Sequence, residues 1–131
     1  MSAPENIRFA ESHEYALKDA NGKIVVGISA YAVDQLQREI VYVELPEVGR
    51  EVGKGDAFGL VEAVKAASDV YAPVSGTIVE VNTQAIDDPM LIANDPYGEG
   101  WMIKIEPTNP DDLTSLKDAA EYDIFCQTSG H

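Results

Sequence analysis

From Gly49 to Asn82 the chain is a series of short β-branched and apolar runs separated by Gly53, Gly55, Gly59 and Gly76, and that punctuation confines the region to short strands joined by tight turns. Ala57–Val64 and Asp69–Val74 read as strands, and Thr77–Val81 alternates with period two. The flanks continue the pattern. Ile7–Phe9 reads as a short strand, and Glu14–Lys18 and Lys23–Ile28 read as a hairpin about Asn21-Gly22, a pair that tolerates positive φ at both positions. Ile40–Leu45 is a further strand stopped by Pro46, and Trp101–Ile105 another closed by Pro107.

Helices are few. Ser29 offers an N-cap oxygen, and Val33, Leu36 and Ile40 fall at i, i+3, i+7, the stripe of a short helix lying across the sheet. Asn109-Pro110-Asp111-Asp112 combines a cap, Pro at the first helical position and acids at the positive end of the dipole, and Leu113, Leu116, Ala120 and Ile124 then mark the buried stripe of a C-terminal helix that frays over Thr128–His131. Gln84–Gly100, rich in Asp, Asn, Pro and Gly, reads as an irregular connection with one helical turn at Met90–Ile92. The expected architecture is mainly β, with a short helix after the first hairpin and a helix at the end. Absence of βαβ alternation disfavours a nucleotide-binding parallel sheet.

With 131 residues, 45% hydrophobic and 24% charged, the chain is expected to form one domain over 1–131 with a single core. Nine Lys+Arg against 23 Asp+Glu leave a net charge of −14, and the pI is near 4.2. Such a surface repels phosphate backbones and anionic lipid, so neither a nucleic acid nor a membrane is an expected partner. Met1–Ala10 shows no basic leader before an apolar stretch, and no run approaches the ~20 apolar residues of a membrane span. One Cys and two His supply neither a disulfide nor a structural zinc site.

Most chemical motifs fail on geometry. Gly49–Gly55 has too few residues between its glycines for a phosphate loop and no Ser or Thr after Lys54. Ser12-His13-Glu14 holds triad residue types, but neighbours on an extended chain point to opposite faces. Asp87-Asp88 and Asp111-Asp112 lack calcium-loop spacing. His13 reads as structural or surface, and Cys126 as a small, buried or half-buried residue.

Lys65 differs because of its surroundings. Gly55 lies ten residues before it and Gly76 eleven after it, so Lys65 falls at the midpoint of a long hairpin with its side chain projecting from the tip. Small residues give access to the ammonium, and Glu62 and Asp69 flank it with negative charge. Spacing alone leaves open an ordinary exposed turn lysine.

The segment Glu62-Ala63-Val64-Lys65-Ala66-Ala67-Ser68-Asp69-Val70-Tyr71-Ala72-Pro73-Val74-Ser75-Gly76 resembles the lipoyl-attachment segment of the glycine cleavage system H proteins. Ser12-His13-Glu14-Tyr15, Val26–Ser29, Val43–Pro46, Asn94–Tyr97 and Gly100–Ile105 resemble further family elements in the same order. Ala63 stands where Ser is usual, and Tyr15 where Trp is common.

The resemblance implies a barrel-sandwich hybrid of the lipoyl-domain kind, a shuttle and not a catalyst, with lipoic acid in an amide on Lys65. It implies four kinds of partner: a glycine decarboxylase (P-protein) that loads the arm, an aminomethyltransferase (T-protein) that unloads it, a dihydrolipoyl dehydrogenase (L-protein) that reoxidises it, and a lipoate ligase or lipoyl transferase that attaches it. The carrier itself is expected to be a monomer. A loaded arm needs shelter from water, and the resemblance puts Ser12, Glu14 and Asp69 in its resting cleft, where a carboxylate would hold the protonated amine. Glu62 and Asp69 would face the partners and steer basic entrances to the arm.

Tyr122-Asp123-Ile124-Phe125-Cys126 resembles plant-type mitochondrial members, which implies the matrix if the source is eukaryotic, with any transit peptide removed, and the cytoplasm if it is bacterial. Rival readings are a lipoyl domain of a 2-oxoacid dehydrogenase complex, a biotin carrier, and an acidic β-rich interaction module with no prosthetic group. The two carrier rivals lack the first-helix region and the C-terminal helix read here. A biotin carrier would also show Met beside the lysine, where Val64 and Ala66 stand.

Overall fold

The computed structural model describes residues 6–109 and 111–129. In chain order the elements are β1 (Arg8–Phe9), β2 (Glu14–Lys18), β3 (Ile24–Ile28), α1 (Ala30–Gln35), β4 (Ile40–Glu44), β5 (Glu51–Val52), β6 (Ala57–Ala63), β7 (Ala67–Tyr71), β8 (Gly76–Val81), α2 (Thr83–Asp87), α3 (Met90–Asn94), β9 (Ile103–Pro107), α4 (Asp111–Thr114), β10 (Lys117–Asp118) and α5 (Ala119–Ser129). Two open sheets result, one of seven strands in the order β10-β1-β2-β3-β9-β8-β5 and one of three in the order β4-β6-β7. The mainly β reading holds, and neither sheet closes on itself.

Alternation drives the packing: Ile24, Val26 and Ile28 of β3 are buried together with Ile78 of β8 and Ile103 and Ile105 of β9. These side chains form the main core with Val43 and Val61 from the small sheet, so the two sheets share one apolar interior. Phe9, Tyr15, Ile7 and Tyr122 make a second cluster beneath α5.

Several local expectations are corrected by tertiary contacts. The first hairpin turns over residues 19–23, and only Gly22 takes a positive φ, of 83°. The Asp19 carboxylate accepts the N–H groups of Asn21 and Lys23, each at 2.9 Å, and so supplies the turn chemistry itself. Ser29 caps α1 as expected, its Oγ accepting Ala32 N–H at 3.1 Å. The helix ends at Gln35, however, because Gln37 and Arg38 adopt left-handed φ of 59° and 60°, and Ile40 is buried from β4 and not from a helical stripe.

The helical turn expected at Met90–Ile92 is α3, two residues longer at its end, and α2 forms before it where only an irregular connection is expected, with Ala85 and Ile92 buried. The strand expected at Trp101–Ile105 begins two residues later, and that expected at Asp69–Val74 begins at Ala67 and ends at Tyr71. β5, which pairs with β8, has no counterpart in the sequence reading. The C-terminal helix is broken: Lys117 and Asp118 leave the helical path to pair with Phe9 and Arg8. As a result Ala120 and Ile124 face solvent, while Tyr122 turns inward. Asn109 caps the first piece through Oδ1 to Asp111 N–H at 3.1 Å, and Thr128 lies within α5. Met1–Glu5, Pro110 and Gly130-His131 lie outside the described residues.

Candidate functional site

β6 and β7 form the hairpin that carries Lys65. Their ladder closes at Glu62↔Ala67, and Ala63 N–H donates to the Ala66 carbonyl at 2.7 Å across the tip. Val64 N–H donates to the Glu39 carbonyl at 3.2 Å, which ties the tip to the strand beside it. Ala63 is buried whereas Val64, Lys65 and Ala66 are exposed, so the amine stands on a short tip fastened at its base. Among the described residues Lys65 makes no ion pair.

Cross-strand pairs share a face, so Glu62 and Asp69 lie on one side of the hairpin with Tyr42 and Glu44 of β4 beside them. A bulge between Ile40 and Tyr42 leaves both Val41 and Tyr42 solvent-facing. The tip is thus bordered by acids and by the exposed apolar residues Val41, Tyr42 and Val64.

Ser12, Glu14 and Asp69 meet in one cleft of about 120 Å³, closed on its other sides by Gln35, Leu36 and Val61. Glu14, 2% exposed, is among the few buried polar residues. Ser12 Oγ donates to its Oε1, and Tyr71 N–H of the edge strand β7 donates to its Oε2 at 3.0 Å. Burial raises its carboxyl from an ordinary 4.5 to about 7, against the lowering effect of those two donors. Asp69 stays exposed at the rim.

His13 sits between the two cleft residues with φ of 80°, and its Nδ1 lies 2.6 Å from Tyr122 Oη. Cys126 is half-buried, with burial pushing its thiol up and away from a reactive thiolate. Asp87, Asp88 and Asp111 are exposed and Asp112 half-exposed. Among the described residues no group of three or more His, Cys, Asp or Glu is placed to hold a metal ion, and no helix is long and apolar enough to cross a membrane. A larger hollow of about 450 Å³ lies under α5 between Phe9, Tyr31, Tyr97 and Tyr122 and includes none of the candidate residues. The cleft members missed in the sequence, the Tyr71 N–H and the residues Gln35 and Leu36, carry no spacing signal linking them to Glu14.

The glycine cleavage H-protein family model matches residues 7–129. The chain is 54% identical over 122 residues to the glycine cleavage system H protein of Synechococcus sp. (strain RCC307), covering 93% of this chain and 92% of that one. It is 50% identical over 127 residues to that of Anaeromyxobacter sp. (strain K), covering 97% and 98%. The crystal structure of a glycine cleavage system H protein from Mycobacterium marinum superposes with a TM-score of 0.82 at 40% identity, covering 98% of this chain and 99% of that one. Fold and hairpin together are those of a lysine-presenting carrier module. The chain belongs to the glycine cleavage H-protein family: it is a lipoyl-carrier protein of the glycine cleavage system and not itself a catalyst. The readings as a 2-oxoacid dehydrogenase lipoyl domain or as a group-free interaction module are not favoured, because the match runs through the helices at both ends of the fold.

Proposed function

We propose that Lys65 is the attachment point of the lipoyl group and that the chain acts as a single carrier domain, taking the one-carbon unit of glycine from a decarboxylase to an aminomethyltransferase and electrons to a dihydrolipoyl dehydrogenase. One observation carries the reading: an exposed amine without an ion pair among the described residues, on a hairpin tip anchored by Ala63. A lipoate ligase or lipoyl transferase needs such access to acylate Nζ. When bound, the lipoyl dithiolane supplies a disulfide that accepts a carbon unit together with electrons and can be reoxidised. The protein's part is to hold the root of the tether still and keep its free end near each partner in turn.

Ser12, Glu14 and Asp69 form the resting cleft in this reading. In the cleft Glu14 carries its proton below about pH 7, and an arriving ammonium favours the carboxylate by a charge-assisted hydrogen bond. Excluding water around that pair protects the cargo. Glu62 and Asp69 steer basic partner surfaces to the tip. The bacterial sources of the similar proteins support a cytoplasmic setting over a mitochondrial matrix.

Intact mass after expression with lipoate and a ligase tests the attachment: a lipoyl increment is expected in the wild type and absent in Lys65→Arg. An increment that persists in that variant overturns the assignment. For the cleft, Glu14→Gln is expected to speed hydrolytic loss of the amine cargo, and an unchanged rate removes Glu14 from it.

A further inference from the structure

Tyr122, on α5, carries a hydroxyl that reaches the back of the cleft. Its hydroxyl lies 2.6 Å from Nδ1 of His13, which stands between Ser12 and Glu14 on one wall. The same hydroxyl lies 2.7 Å from Oγ of Ser29. That Oγ caps α1 through Ala32 N–H, and Ala32, Gln35 and Leu36 form the opposite wall. The two sides are joined at the backbone by Ser29 N–H, which donates to the His13 carbonyl at 2.9 Å, and the Tyr122 oxygen braces the side chains at the same junction.

The phenol is itself held firmly. Tyr122 is 6% exposed, and its ring stacks on Phe9 with centroids 4.1 Å apart and planes 8° from parallel. Burial raises its pKa well above the ordinary phenol, so the hydroxyl keeps its proton. Oη has one hydrogen to donate and lone pairs with which to accept, so it can bond both partners at once. The φ of 80° at His13 makes this anchoring consequential, because a non-glycine residue keeps a left-handed backbone only when its surroundings hold it there.

We infer that Tyr122 is a positioning residue of the cleft: its hydroxyl holds the His13 side chain and the Ser29 cap of α1 in place behind the wall that carries Ser12 and Glu14. The inference rests on the cleft reading proposed above. Tyr122 touches neither the tether nor its cargo, so its removal acts on retention of the cargo and not on attachment at Lys65.

Tyr122→Phe keeps the stack on Phe9 and deletes the oxygen. In the unloaded chain, the imidazole ¹⁵N resonances of His13 are expected to shift in the variant, where Nδ1 has lost the Tyr122 hydroxyl. In the loaded carrier, hydrolytic release of the amine is expected to rise about five-fold, since two neutral hydrogen bonds behind the cleft are lost and only part of their worth reaches the cargo. Ligase attachment at Lys65, followed by mass, should keep its wild-type rate. An unchanged His13 spectrum or an unchanged release rate overturns the inference. Glu14→Gln separates the two ideas: if it speeds release and Tyr122→Phe does not, positioning fails and the cleft stands, and if neither does, both fall. Should Tyr122→Phe not fold, His13→Asn tolerates the left-handed backbone and deletes the same link. Faster release supports the inference there, and wild-type release defeats it.

Discussion

The N–H of Tyr71 donates to Oε2 of Glu14 at 3.0 Å, so a carboxyl on the seven-stranded sheet takes the outward-pointing donor of β7, the edge strand returning from the Lys65 tip. The hairpin is thereby tied to the larger sheet by a titratable group.

Glu14 gives stability a defined pH slope. Its carboxyl titrates at about 7 in the folded chain and near 4.5 otherwise. Between those values the folded state holds the extra proton, so the stabilisation is complete below the lower value and lost as pH rises through the upper one. Glu14→Gln should remove this slope. Relative to wild type its stability should improve by up to about 3 kcal/mol between pH 4.5 and 7.5 in urea titrations. A difference between the two proteins that does not vary with pH would show that Glu14 has an ordinary pKa.

Gly76 starts β8 where a Cβ would lie 2.1 Å from the Glu106 carbonyl oxygen and 2.5 Å from a methyl of Ile105. Both obstacles belong to β9, a central strand that cannot move away without breaking the ladder. Gly76→Ala should cost about 3 kcal/mol or more, read from the unfolding midpoint at constant m-value. A loss below 1 kcal/mol, on the order of a surface change, would contradict the packing described.

Tyr15 is fully buried, and its hydroxyl donates to the Pro96 carbonyl at 2.6 Å. Tyr15→Phe leaves that carbonyl without its donor, so a loss of about 1–3 kcal/mol is expected by calorimetry. A variant as stable as wild type would mean that water replaces the bond.

Loading by the decarboxylase should slow as salt rises, because the surface around Lys65 is acidic and steering is screened. Glu62→Gln with Asp69→Asn should flatten that dependence while leaving the rate at high salt nearly unchanged. A profile already flat in the wild type would assign docking to the apolar border of Val41, Tyr42 and Val64.

Local signals made the hairpin about Lys65 and the Ser29 cap legible in the sequence, since strand alternation, glycines and a capping hydroxyl act over a few residues. Where a distant partner decides, legibility ends. Leu113, Leu116, Ala120 and Ile124 fit one helix, yet pairing of Lys117 and Asp118 with β1 interrupts it and leaves Ile124 61% exposed. Turn-rich composition around Pro89 and Pro96 hid α2 and showed α3 only as the turn at Met90–Ile92; both exist because Ala85 and Ile92 bury there. Ser12 and Glu14 enter the cleft through the family resemblance alone. The Tyr71 donor lies 57 positions from Glu14, and the Tyr122 hydroxyl 109 positions from His13. No spacing rule connects such pairs before the chain has folded.

A ladder that shuts at Glu62↔Ala67 leaves four residues beyond its last rung. The backbone under Lys65 is thus a fixed hub, and whatever circle the cargo travels is drawn by the length of the side chain and its attachment. Splicing one residue into the loop would move the hub to another face of the ribbon and misaim every delivery, with all the original side chains still in place.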